Sequence, residues 1–154
     1  MKVYFDNCTI QRPLDDKSQL RILIESEIIL GIISLIESEQ IELVSSEVLI
    51  FEAGRITDIF RKEHTLRTLN RAKEVIMLDD EIEKRAEEFV RIGLKPIDAL
   101  HLSAAEKIKT DCFCTCDDRF FKKAKKISEI RTNVVSIFEL LKEIENEYQS
   151  NGTE

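Results

Sequence analysis

KPIDALHLSAAE, residues 95–106, is the stretch whose reading decides the fold. Pro96 has a fixed φ and no N–H, which suits the first position of a helix and puts Asp98 in its first turn. Beyond it, Ala99, Leu100, Leu102, Ala104, Ala105 and Ile108 are apolar around much of the circumference. The helix is therefore expected to be sandwiched inside the protein and not to lie on its surface. A carboxylate at the mouth of a buried helix has two readings. It can simply favour the free N–H groups of the first turn, a contribution of about 0.3–1 kcal/mol, or it can serve chemistry. The other acids of the chain bear on the choice.

Outward from this helix, short β-prone runs alternate with helical ones. Residues 2–5 form a first strand that stops at Asp6, and the polar stretch 7–19 is expected to be a loop. Residues 20–36 carry a dense apolar pattern for a long helix, with Glu25 and Glu27 on a solvated face. A second strand at 41–44 leads to Ser45 or Ser46, either of which can cap a helix over 46–60. On that helix Glu52 shares a face with Val48, Ile56 and Ile59, and a carboxylate on an apolar stripe needs a partner. Glu47 sits one position from the cap, where the helix dipole accounts for it. Residues 61–71 are basic and helical, 75–78 a third strand, and 80–91 a helix ending near Gly93 as a left-handed cap. A fourth strand at 111–115 is followed by Asp117, which repeats the position of Asp6 just past a strand end and also suits a helix N-cap. Val134 and Val135 make a last strand, and Ser136 caps the final helix.

This alternation predicts an α/β fold, a three-layer α/β/α sandwich with a central, mainly parallel, twisted sheet of four or five strands. A chain of 154 residues supports one domain, placed at 1–148, with a disordered tail at 149–154. With 43% hydrophobic and 34% charged residues it reads as a globular protein with no membrane-crossing segment. MKVYF lacks the pattern of a secretory signal and the four cysteines are not spaced as a disulfide scaffold, so a cytoplasmic location is expected. The net charge of −7 argues against broad adhesion to nucleic acid, although basic clusters at 61–73 and 122–126 leave room for a local site.

In parallel α/β sheets, ligands bind beyond the C-terminal strand ends where strand order reverses. If the first and fourth strands are neighbours, Asp6, Asp117, Asp98 and Glu52 reach the same place. Converging carboxylates repel, and a hard divalent cation such as Mg²⁺ or Mn²⁺ resolves the repulsion with oxygen ligands alone. Such ions suit hydrolysis of phosphoesters. His101 lies on the buried helix and is expected to be a satisfied core histidine. Cys112, Cys114 and Cys116 alternate along one strand, cannot surround zinc tetrahedrally, and are expected to be small buried hydrophobes.

Four motifs in this order, VYFDN, SEVLIFE, DALHLSAA and TCDDRF, make residues 1–140 resemble the PIN-domain family, metal-dependent ribonucleases that include the VapC-type toxins of toxin–antitoxin systems. The resemblance implies that Asp6, Glu52, Asp98 and Asp117 are the catalytic, metal-binding acids, with Glu52 acting directly or through water. It implies one or two Mg²⁺ or Mn²⁺ ions, with Thr115 orienting Asp6 or a water, and Asn7 and Ser46 supporting the site. RNA is the implied substrate, with Arg12, Lys17 or Arg119 as phosphate contacts, an antitoxin protein as a partner, and a homodimer as the assembly. The chain departs from the family at Cys8, where Ser or Asn is frequent, with Asn7 and Thr9 adjacent to substitute. It departs again at Arg119, where another acid is frequent. The alternative reading is a PIN-fold module that binds RNA or protein with little or no catalysis. A haloacid-dehalogenase phosphatase would need a second Asp at Cys8, and the acids and lysine of a receiver domain are not in order.

Overall fold

The computed structural model describes residues 1–152. Five strands, β1 (Lys2–Phe5), β2 (Glu42–Ser46), β3 (Glu74–Ile76), β4 (Cys112–Cys114) and β5 (Asn133–Val135), form one sheet in the order β3-β2-β1-β4-β5. All four pairings are parallel. The helices are α1 (Asn7–Gln11), α2 (Leu20–Glu37), α3 (Glu47–Gly54), α4 (Ile59–Leu69), α5 (Asp80–Ile92), α6 (Pro96–Lys107), α7 (Asp118–Lys125) and α8 (Ile137–Asn151). Helices α2 and α8 pack together, with α8 against β4 and β5, while α5 packs on α6 and α6 against β2. The three-layer α/β/α sandwich is therefore present, its sheet wholly parallel. Strands this short hold because Val3, Tyr4, Phe5, Leu43, Val44, Phe113, Val134 and Val135 are buried, as strands covered on both faces must be.

Strand order reverses between β1 and β4. From β1 the chain goes outward to β2 and β3, then returns to β4 on the other side of β1. Phe5 pairs with Cys114, and the Asp6 N–H donates to the Cys114 carbonyl at 3.3 Å, so the residues past both strand ends share one edge. Helix α6 begins at Pro96 and buries Ala99, His101, Leu102, Ser103, Ala104 and Ala105. Its small residues let it lie close against its neighbours, and the Ser103 hydroxyl donates to the Ile82 carbonyl on α5 at 2.7 Å.

The structure corrects four expectations. Residues 7–19 are not all loop: Asp6 accepts from the Thr9 N–H and caps α1, and a 3₁₀ turn follows at Arg12–Leu14. The helix expected over 46–60 is two helices. Asp58 accepts from the Arg61 N–H and starts α4 afresh, which leaves Ile56 outside α3 and Ile59 exposed. Glu25 does not lie on a solvated face; it is 1% exposed, paired with Arg21 and near Arg12. The tail expected to be disordered from Gln149 begins as helix, since α8 runs to Asn151; Thr153 and Glu154 lie outside the described residues. Among the described residues no helix is long and apolar enough to cross a membrane.

Candidate metal and phosphodiester site

Three of the four predicted acids are positioned by a helix start. Asp6 follows β1 and caps α1: its Oδ1 accepts from the Thr9 N–H at 3.0 Å, the Thr9 hydroxyl at 2.6 Å and the Cys8 thiol at 3.1 Å. Asp117 follows β4 and caps α7, its Oδ1 accepting from the Arg119 and Phe120 N–H groups at 3.0 and 3.1 Å. Asp98 stands in the first turn of α6, half-buried, and accepts no hydrogen bond from a described residue. Burial pushes its carboxyl above the ordinary aspartate range, and the charges of Asp117 and Asp6 push the same way, against Lys95. Those influences place Asp6 and Asp117 each within electrostatic reach of Asp98.

Glu52 has hydrogen-bond partners of its own. Its Oε1 is bonded to His101 Nε2, and Asn7 Nδ2 lies 3.5 Å from the same oxygen. His101 Nδ1 lies 2.7 Å from the Tyr4 hydroxyl, which lies 2.6 Å from Ser46 Oγ. Ser46 also caps α3, accepting from the Leu49 N–H at 3.1 Å. Burial pushes the Tyr4 pKa far above its usual value, so the phenol keeps its proton. His101 is buried, as expected, yet what satisfies it is an acid of the site. The hydroxyl oxygen of Thr115, expected to orient Asp6 or a water, accepts from the Asp117 N–H at 3.0 Å.

The donor chemistry fits a hard cation. Among the described residues, Oδ2 of Asp6, Oδ2 of Asp117, both oxygens of Asp98 and Oε2 of Glu52 accept no hydrogen bond. Asn7 Oδ1 is a further buried acceptor without a partner among the described residues. All are oxygens, the ligand type that Mg²⁺ and Mn²⁺ prefer. As they stand, however, no three His, Cys, Asp or Glu side chains among the described residues form a group able to hold a metal ion.

A cleft of about 80 Å³ adjoins Asp98 and Asp117 and is also lined by Lys95, Arg119 and Lys123. The Arg119 guanidinium and the Lys95 ammonium make no ion pair with a described residue, and Lys123 reaches only the Gly93 carbonyl, at 3.4 Å. The other two predicted phosphate contacts are committed elsewhere. Arg12 bonds Asp15 at 2.9 Å and lies 3.7 Å from Glu25, and Lys17 donates to the Pro13 carbonyl at 2.6 Å. Lys95 and Lys123 were not anticipated, since only the fold brings the start of α6 beside α7. A larger hollow of about 400 Å³ between α5 and α6 holds none of the four acids.

The profile of the PIN domain matches residues 20–127. No curated protein matches the chain in sequence. Among solved structures, the chain is similar to a chain of FitAcB from Neisseria gonorrhoeae, with 12% identity over 88% of this chain and 98% of that one and a TM-score of 0.57. VapBC-1 from nontypeable Haemophilus influenzae gives 12% identity, 90% and 99% coverage and a TM-score of 0.57. Mycobacterium tuberculosis VapC20, a sarcin–ricin loop cleaving toxin, gives 12%, 83% and 98%, and 0.53.

Proposed function

The chain belongs to the PIN-domain family, and from that premise we propose that it is a Mg²⁺- or Mn²⁺-dependent endoribonuclease that hydrolyses phosphodiester bonds of single-stranded RNA. What supports this reading is that Asp6 and Asp117 follow the ends of the adjacent strands β1 and β4, where strand order reverses, and act on Asp98, each of the three keeping an oxygen that accepts no hydrogen bond among the described residues. These three acids would hold the cation, with Glu52 binding it directly or through a water. A hard divalent cation there would neutralise the carboxylates, make water a better nucleophile at neutral pH and stabilise charge on the phosphoryl oxygens. The chain's own residues do the rest. Arg119, Lys95 and Lys123 offer charged donors to phosphate oxygens from the rim of the cleft. The Thr9 N–H and hydroxyl hold Asp6, and two backbone N–H groups hold Asp117, so that neither acid needs a basic side chain to keep its orientation.

Fold likeness to VapC20, a sarcin–ricin loop cleaving toxin, supports RNA as the substrate. The site motifs, which resemble those of VapC-type toxins, together with likeness to VapBC-1, support action in the cytoplasm under control of an antitoxin protein. Pairing into a homodimer belongs to the same reading, supported by Phe51 and Phe60, 60% and 74% exposed on the adjacent helices α3 and α4. A second reading, a PIN-fold module that binds RNA or protein with little catalysis, draws on the lack of a preassembled metal-holding group among the described residues.

End-labelled single-stranded RNA incubated with the protein separates the two. Fragments in Mn²⁺, with none in EDTA or with the Asp6→Asn, Asp98→Asn double variant, are the expected result. An intact pool with folded wild type in Mn²⁺ would overturn the enzyme reading in favour of the binding module.

A further inference from the structure

Glu52, His101, Tyr4 and Ser46 come from four elements, α3, α6, β1 and the end of β2, and join in one hydrogen-bonded line. Tyr4, Ser46 and His101 are all buried, so each proton in the line must find an acceptor within it. Counting donors and acceptors gives the line a direction. An ionised carboxylate only accepts, so His101 carries its hydrogen on Nε2. In the neutral ring Nδ1 is then an acceptor, and the Tyr4 hydroxyl donates to it. The Tyr4 oxygen accepts from the Ser46 hydroxyl, and Ser46 Oγ accepts from the Leu49 N–H. Every donor points toward Glu52. A doubly protonated ring would keep the link to Glu52 and reverse the next two: Nδ1–H would donate to Tyr4, and Tyr4 to Ser46. The Ser46 hydroxyl hydrogen would then be buried with no acceptor among the described residues.

The chemical consequence concerns charge. A lysine or arginine on Glu52 would orient the carboxylate and also cancel it. Here Oε1 is held by two neutral donors, the imidazole and the Asn7 amide, while Oε2 has no protein partner among the described residues. A ligand held in this way is oriented without losing its attraction for a cation, as outer-shell hydrogen bonds do around metal centres. We propose that His101 and Tyr4 are positioning residues: the buried line from Leu49 through Ser46, Tyr4 and His101 fixes the Glu52 carboxylate in one orientation and leaves its charge and Oε2 for a divalent cation. The inference rests on the metal-dependent reading above and extends it to two residues that touch neither RNA nor metal.

Two measurements test it. In ¹⁵N-labelled wild type without metal, long-range ¹H–¹⁵N correlation of the His101 ring reports which nitrogen carries the hydrogen, and the Nε2–H tautomer is expected near neutral pH. Mn²⁺ titration calorimetry is then run on wild type, Tyr4→Phe, His101→Gln and His101→Leu, each checked for folding by its melting curve. His101→Leu is expected to weaken Mn²⁺ binding by about ten- to a hundredfold. Tyr4→Phe, which keeps the packed ring, should weaken it less, and His101→Gln, which keeps a neutral donor, should recover most of the loss seen with His101→Leu. An Nδ1–H or doubly protonated ring in the wild type, or a folded His101→Leu that binds Mn²⁺ like wild type, overturns the positioning role while the nuclease reading stands. Wild type with the Nε2–H tautomer but no Mn²⁺ binding overturns the metal-dependent reading and the role with it.

Discussion

Two clusters of acids lie near each other at the same edge of the sheet, and their treatment by the fold is opposite. Around α2, Glu25 is almost wholly buried and yet paired, with Arg21 at 3.0 Å and Arg12 at 3.7 Å. Arg21 goes on to Asp118 at 2.8 Å, while Asp15 takes both Arg12 and Arg61 at 2.9 Å. At the strand ends, Asp6, Asp98 and Asp117 have no ion pair within the protein among the described residues. Asp117 and Asp118 are consecutive and fall on different sides of this divide. Asp118 is drawn below its ordinary range by its hydrogen bond to Arg21, whereas Asp98 is raised by burial and by its acidic neighbours. The first cluster ties the 3₁₀ turn at Arg12–Leu14 and the residue after it to α2, α4 and α7. The second leaves its charge unpaired among the described residues.

The contrast can be broken most forcefully by removing acids from each side. Asp98→Asn is expected to lower the RNA cleavage rate by on the order of a hundredfold or more, with the fold intact by circular dichroism. Cleavage at the wild-type rate would place Asp98 outside the site. Glu25→Ala should act the other way, leaving Mn²⁺ binding in place while costing roughly 3 kcal/mol of stability as its arginines lose a buried partner. Denaturant melts measure this, and an unchanged midpoint would mean that the Glu25 network is not structural.

A smaller effect sharpens the comparison through pH. The folded-state pKa of Asp98 is raised, so in the window just above the ordinary aspartate value the native protein binds more protons than the unfolded chain. Stability of the metal-free protein therefore falls as pH rises through that window, and Asp98→Asn removes this component. At neutral pH the variant should melt slightly above wild type in EDTA and lose the stabilisation that Mn²⁺ gives wild type. A lower melting point in EDTA would mean that the Asp98 charge is satisfied within the fold. Least of all, Asp118→Ala should change stability by no more than about 0.5 kcal/mol, because its pair with Arg21 is solvent-exposed.

Local signals made much of this legible. Pro96 followed by an apolar run marks α6 and Asp98, and an acid just past a β-prone run marks Asp6 and Asp117, because capping is decided within a few residues. The same chemistry was underread at Asp6 and Asp58, whose caps start α1 and α4 where a loop and a continuous helix were expected. Glu25 carried a local clue in Arg21 four residues earlier, but Arg12 reaches it only once the 3₁₀ turn folds back on α2. Glu52 plainly needed a partner, and that partner, His101, lies 49 residues away. No periodicity shows such a pair; it exists because strand order carries α3 and α6 to the same edge. Lys95 and Lys123 join Arg119 for the same reason.

The central claim is that the unpaired acids at the strand ends bind a divalent cation. Mn²⁺ titration calorimetry on wild type and on the Asp6→Asn, Asp98→Asn double variant tests it most directly. Saturable binding by wild type that vanishes in a folded double variant is the predicted result. Wild type that takes up no Mn²⁺ at millimolar concentration, or a double variant that binds it equally well, would contradict the claim.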